Sequence, residues 1–268
     1  MSMVLRPLLS CGVVLALSGT ALAAGRAQDS APADAFDIVA GAGVAMRPTY
    51  IGSDRYRVSP VPLVSVRWND MVALSAEGLR VYWNADRLTV GAGLTFDGGR
   101  DEKDKNAFSF GSGDDRLRGL GKVDASVGYQ VFASYRLWRI DLDATAIKYD
   151  GNQNKGLVVR AGAALPIHLT NRLVITPHAS ATWANDRYMQ TFFGVSDEQA
   201  LRSGFARFDA RGGVSGVTGG LKANYAITNH WFATADVSTT ALMGDAKHSP
   251  LSFSNSATIA FTAIGYHF

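Results

Sequence analysis

Cysteine is nearly absent from this sequence: of 268 residues only Cys11 carries a thiol. It lies in a stretch that reads as an export signal, with Arg6, an apolar run from Leu8 to Leu17, and Ala21-Leu22-Ala23 before a cleavage point between Ala23 and Ala24. Leu8-Leu9-Ser10-Cys11-Gly12 is similar to a lipoprotein acylation box. The apolar core continues past Cys11 instead of ending before it, so Cys11 is expected to leave with the signal. A mature chain of about 245 residues then has no thiol, which excludes disulfides and thiol chemistry. Long hydrophobic runs are also missing. The run at Leu8 falls short of the roughly 18 to 20 apolar residues that a spanning helix needs, and no second run follows. Charge of one sign is scarce as well, since the formal balance of +3 loses only Arg6 with the signal. Bulk electrostatics therefore gives no reason to expect nucleic acid as a partner.

Chemistry-bearing patterns are equally sparse. Five histidines are present, none at zinc spacing and none in a recognisable Ser/His/Asp arrangement. Asp245, His248 and Ser249 sit too close together in one loop to reach triad geometry. Asp101, Glu102, Asp104, Asp114 and Asp115 are candidate calcium ligands, but the interleaved Lys103, Lys105 and Arg116 favour a solvated loop. The glycines fall on strands and not before helices, so no phosphate-cradling loop is expected. The reading is a non-enzymatic protein with no catalytic residue, cofactor or metal assigned.

What the sequence does have is two-residue alternation. Leu88, Val90, Ala92, Leu94 and Phe96 oppose Thr89, Gly91, Gly93 and Thr95; Val127, Tyr129, Val131, Ala133, Tyr135 and Leu137 oppose Gln130, Ser134 and Arg136. Phe132 and Ile147 break the rule. Segments at Ile38 to Met46, Ile140 to Tyr149, Leu157 to Ile167, Leu173 to Trp183 and Val217 to Tyr225 follow it, with Arg160, His178, Lys222 and Asn224 on the polar face. One strand cannot separate a soluble sandwich from a barrel with a polar lumen. Loop lengths can. Tight turns at Asn69-Asp70, Asn84 to Arg87, Trp138-Arg139, Thr170-Asn171 and Thr228-Asn229 alternate with generally longer connections at Arg47 to Arg57, Asp97 to Lys122, Ala184 to Gly212 and Leu242 to Ser254. Outer-membrane barrels combine short periplasmic turns with longer external loops in this way.

The expectation is an all-β transmembrane antiparallel barrel of about twelve strands over 36–268, preceded by a signal peptide (1–23) and a short periplasmic leader (24–35). Ten strands is the alternative, because Met71 to Ala76 and Leu79 to Asn84 are short for a bilayer crossing. Trp68, Trp83, Trp138, Tyr225, Trp231 and Phe268 sit beside the short turns, while Phe96, Tyr149 and Trp183 lie near the opposite ends, which suggests two aromatic girdles in outer-membrane lipid. Gly41, Gly91, Gly93, Gly162 and Gly220 would relieve crowding in the lumen. Ile264, Tyr266 and Phe268 share the outer face of the last strand, and a terminal Phe resembles an outer-membrane assembly signal. Both termini are expected in the periplasm, and the barrel to be a monomer.

The loop from Trp183 to Phe208 stands apart. Ser196 and Gln199 form a capping box, Asp197 and Glu198 suit a helix first turn, and Gly204 can end it. Tyr188, Met189, Phe192 and Phe193 need apolar cover, either as a plug over the lumen mouth or as a partner surface. Gly43 to Tyr56, Gly99-Arg100-Asp101 with Gly119-Leu120-Gly121, Trp183 to Gly204, and Gly244-Asp245-Ala246 with Ser249-Pro250 carry a further observation. Together these segments resemble the MltA-interacting protein (MipA/OmpV) family of Gram-negative outer-membrane proteins. Lys122-Val123-Asp124 departs from it, where the family tends to carry an acidic residue after the glycine. The resemblance implies a scaffold linking a lytic transglycosylase to a bifunctional penicillin-binding protein during peptidoglycan growth; a narrow porin-like channel or a surface adhesin is the alternative.

Overall fold

The computed structural model describes residues 36–108, 111–151 and 155–268; the expected signal and leader, with Ala23 and Ala24, lie outside the described residues. Twelve strands among these residues form one antiparallel ring. They are β1 (Phe36–Pro48), β2 (Tyr56–Trp68), β3 (Val72–Ser75), β4 (Gly78–Ala85), β5 (Leu88–Asp97), β6 (Ser126–Leu137), β7 (Ile140–Tyr149), β8 (Gly156–Ala164), β9 (Leu173–Ala184), β10 (Gly213–Ala226), β11 (Trp231–Leu242) and β12 (Ser256–His267). Each pairs with its neighbours in the chain, and β12 returns to β1, from Val39 opposite His267 to Met46 opposite Ala260. Closure removes every free edge that a lipid environment would penalise, except at one place described below. Both short segments, β3 and β4, are strands, so the count is twelve.

The alternation predicts the faces. Leu94, Val127, Val131, Val237 and Ile264 are exposed on the outside, whereas Thr95, Gln130 and Thr234 are buried inside. An apolar belt all round the exterior is stable only against lipid, and the fold is a transmembrane barrel. Trp68, Trp83, Trp138, Tyr225, Trp231 and Phe268 are all exposed at the turn end. Tyr266 packs edge-on against Trp231 (5.1 Å) and Phe268 (4.9 Å), which ties the terminal residue into that collar.

Two expectations need correction. Tyr149 belongs to no girdle: it points inward, buried, and faces Tyr188 at 6.3 Å. The strand from Leu157 to Ile167 is interrupted after Ala164 and resumes only for Ile167–His168. Pro166 has no N–H to donate there, and Leu165 donates to the Pro177 carbonyl, whose own residue also lacks an N–H.

The lumen glycines have a specific task. Gly91 lies directly across from Phe132, Gly128 from Tyr149, Gly220 from His178 and Gly265 from Phe232. A Cβ at Gly91 would stand 2.5 Å from Phe132 Cζ, and one at Gly128 would stand 2.6 Å from Tyr149 Cε1. Each inward ring therefore lies over a missing side chain, which explains how Phe132 is accommodated on a face otherwise small and polar.

Candidate functional site: the lumen and its cap

A cavity of about 1790 Å³ runs the length of the barrel, from Tyr50, Phe192 and Phe193 at the loop end to Arg87, Asn171 and His230 at the turn end. Its middle is charged because the inward positions of six strands carry ionisable groups. Arg80 Nη1 lies 2.6 Å from Glu77 Oε2, and its guanidinium stands over the Phe132 ring at 5.3 Å. On the far wall His178 Nε2 is 3.0 Å from Asp236 Oδ2, and Lys222 sits directly across the ladder from Asp236. Asp143 and Arg160 complete a belt in which three carboxylates face three cations. The hydroxyls of Thr176 and Thr234 are buried on the same wall with no protein partner. A second group closes the seam at the turn end: Asp37 accepts from Arg67 and is 2.6 Å from His267 Nε2.

The loop end is roofed. Helix α1 (Asp186–Phe193) starts at Asn185, whose side chain accepts from the Tyr188 N–H; α2 (Asp197–Ser203) starts at Ser196 with the predicted capping box and ends at Gly204 in the left-handed conformation. A third short helix, α3 (Gly244–His248), packs beside α1. Two apolar clusters hold these loops together. Ala184, Met189, Phe193, Ala210, Leu242 and Ala246 form one; Tyr50, Leu117, Leu120, Val195 and Leu251 form the other. Polar ties join loop to loop: Tyr50 donates to the Leu251 carbonyl (3.0 Å), Arg100 to Phe192 (2.6 Å), Gln199 to Leu120 (2.5 Å) and Ser249 to Phe193 (2.6 Å). Burial pushes the Tyr50 and Tyr188 hydroxyls up and pulls Arg100 down to about 10, still cationic at neutral pH.

Met189 and Phe193 are buried in the cap, and the Tyr188 and Phe192 rings pack tilted, 4.6 Å apart, where they line the lumen mouth. Ile264, Tyr266 and Phe268 lie on the outer face as the alternation requires. Asp245, His248 and Ser249 do not assemble: the Ser249 hydroxyl donates to the Phe193 carbonyl, and Asp245 accepts from the Arg211 N–H. Carboxylates of Asp104, Asp114 and Asp115 do converge. Cations already occupy the group, since the buried Asp114 accepts from Arg55 (3.2 Å), Arg116 (3.2 Å) and Thr49 (2.8 Å). Burial works to raise the Asp114 pKa, but the Arg116 and Thr49 hydrogen bonds outweigh it and hold the carboxyl below the ordinary aspartate value. A buried pair escaped the sequence reading: Lys155 Nζ, fully buried, reaches Asp97 (3.1 Å) and Ser126 (2.8 Å). Asn185, a residue type that favours helix caps, stands immediately before α1.

The family described as "MltA-interacting protein MipA" matches residues 40–268, nearly all of the barrel and its cap. The chain belongs to that family. No curated protein sequence matches it closely enough to count as a relative. Among solved structures this MipA-family barrel is similar to the NanC porin (9% identity, TM-score 0.45, covering 85% of this chain and 98% of that one). It is also similar to a bacterial polysaccharide outer membrane secretin (8%, TM-score 0.48, 86% and 98%) and to the translocator domain of the autotransporter NalP from Neisseria meningitidis (10%, TM-score 0.41, 90% and 90%).

Proposed function

We propose that this chain is a non-enzymatic outer-membrane barrel, turn end in the periplasm and loop end outside, that docks a lytic transglycosylase and brings it to a bifunctional penicillin-binding protein. The observation that carries this reading is membership of a family described by its interaction with MltA. Within the barrel the docking face would be the turn end, where Trp138 is 82% exposed and Arg139, Asn171, Arg172, Asn229 and His230 are exposed beside it. A standard interface buries about 800 Å² per partner, so one short turn is too small and the enzyme must span several.

The test places a photo-crosslinking residue at Arg139 or Arg172, and at Asp197 as the loop-end control, in intact envelopes. Crosslinks to a lytic transglycosylase from the turn positions alone are expected. Crosslinks from Asp197 alone, or from none of the three, overturn the scaffold.

A second reading, passage of small solutes, is favoured by one feature: the cavity continues from the cap to the turns with a charged belt midway. On that reading the cap would plug the mouth.

A further inference from the structure

The barrel wall has an opening. β3 pairs with β2 only from Ser65 opposite Ser75 to Trp68 opposite Val72, and β4 pairs with β5 only as far as Leu79 opposite Leu94. Above the β3–β4 hairpin, among the described residues, no strand pairs with β2 from Tyr56 to Val64 on that side, or with β5 from Thr95 to Asp97. Among the described residues the rim is bridged at the top, where the Gly111 carbonyl accepts from Arg57 and the Gly113 N–H donates to Thr49. From Val58 to Val64 the unpaired edge is about 20 Å long, at roughly 3.3 Å per residue. It lies in the half of the barrel nearer the loops, between outward residues that face lipid: Val58 and Val64 are 56% and 50% exposed.

The sequence is adapted to this edge. Met71 donates to the Trp68 carbonyl at the β2–β3 turn, so even-numbered positions of β2 present their backbone groups away from β1. Of the four that face the opening, Val58, Pro60, Pro62 and Val64, two are prolines without an N–H. An unpaired N–H in hydrocarbon costs several kcal/mol, and proline removes it. The same prolines prevent a further strand from adding to the edge, so a second chain completing the ladder is disfavoured.

Beside the opening the inner side of the barrel is apolar, and Leu63 lines the cavity there. Val61 and Leu63 pack on Ala45, Phe261 and Ala263, on the inner faces of β2, β1 and β12. The hairpin tip turns its polar group inward, with Glu77 held to Arg80 at the edge of the charged belt. Leu63 and Val64, Ala76 and Glu77, and Thr95 and Phe96, from the three sides of the opening, all line the cavity. Ser59, buried on the inner face of the exposed edge, has no protein partner for its hydroxyl.

We propose that this opening is a lateral portal through which the acyl chain of a membrane lipid enters the lumen, lying against Leu63, which Val61 and Phe261 back, while its polar head meets the charged belt. The chemistry fits no other occupant as well: a hydrophilic solute has no reason to cross lipid-facing valines, and a protein strand finds no ladder. The portal is independent of any partner at the turn end.

The test uses the whole barrel reconstituted in phosphatidylcholine/phosphatidylglycerol vesicles containing a phospholipid with a photoactivatable diazirine in its acyl chain, with adducts mapped by mass spectrometry. Adducts on the inward residues Leu63 or Thr95, besides those on outward Val64, Val237 and Ile264, are expected. Adducts confined to outward residues overturn the portal. Leu63→Asp should lower the inward adducts several-fold and leave those at Val237 unchanged, with heat-modifiable gel migration confirming that the variant is folded. A second measurement on the unsubstituted wall guards against misfolding: Ala76→Trp, at the hairpin tip, should reduce the inward adducts by obstruction alone. Inward adducts insensitive to both substitutions would place the lipid's entry elsewhere and overturn the assignment.

Discussion

At the scale of single residues, the lumen is organised by what is missing. Four glycines stand opposite four rings; the closest approaches at Gly128 are to ring carbons of Tyr149, and those at Gly91 are to Phe132 Cζ and, equally close, to the Val81 carbonyl oxygen. Gly91→Leu should therefore overpack the lumen by about 1–3 kcal/mol, the usual penalty for added core volume. Phe132→Ala in the same chain should restore part of that loss, because it removes the ring contact but leaves the Val81 carbonyl oxygen, also 2.5 Å from the new Cβ. Urea titration of the heat-modifiable band measures both; a double variant as unstable as Gly91→Leu alone would show that the backbone, and not the ring, sets the limit. Much of this was legible in sequence, where Phe132 was visible as an exception to alternation. Which glycine answered it was not, because the partner is fixed by register between β5 and β6, and register is a property of two strands.

At the scale of elements, strand parity and turn length carried the fold, and the misses follow from what parity cannot see. Tyr149 was placed in a girdle by its position near a strand end, yet its odd number puts it with Asp141 and Asp143 on the inner face, where Tyr188 covers it. The short strands β3 and β4 were counted, but their consequence for the wall was hidden, since a hairpin that stops halfway leaves an opening only when its neighbours run on. The last strand offers a prediction of its own. Phe268→Ala should lower the folded barrel recovered from outer membranes, because the ring packs on Tyr266 and faces lipid, and its burial is worth roughly 1.5–3 kcal/mol. His267, between Tyr266 and Phe268, alternates onto the inner face. The structure gives it Asp37 as a partner across the closing seam, with Arg67 on the other carboxylate oxygen. His267→Ala should still fold, since Arg67 keeps Asp37 paired, but its melting point should fall by a few degrees. Equal loss of folded protein in both variants would mean that the seam, and not the terminal ring, controls assembly.

At the scale of the whole molecule, a lipid-anchored wall carries a cap held partly by carboxylates, and the two should respond differently to acid. Asp54 is held below its ordinary value by a hydrogen bond from Arg116, Asp101 by one from Lys105, and Asp114 by Arg116 and Thr49 against the opposing effect of burial. A carboxyl whose folded pKa is depressed stabilises the fold above its unfolded value and loses that contribution as pH falls through the folded one. The ordinary aspartate value is about 3.9, so the cap should persist at pH 5 and loosen below about pH 4, while the barrel wall, held by its ladder and by lipid, stays closed. If the cap roofs the lumen, single barrels in a planar bilayer should conduct poorly at pH 7 and pH 5 and several-fold better at pH 3.5, reversibly. Asp114→Asn should raise conductance already at pH 7, because it leaves Arg55 and Arg116 without the buried charge that gathers them. Gel migration at pH 3.5 checks that the barrel itself has not unfolded. A conductance that ignores both acid and Asp114→Asn, in a protein whose cap loops have become protease-sensitive, would mean that the charged belt, and not the cap, closes the lumen.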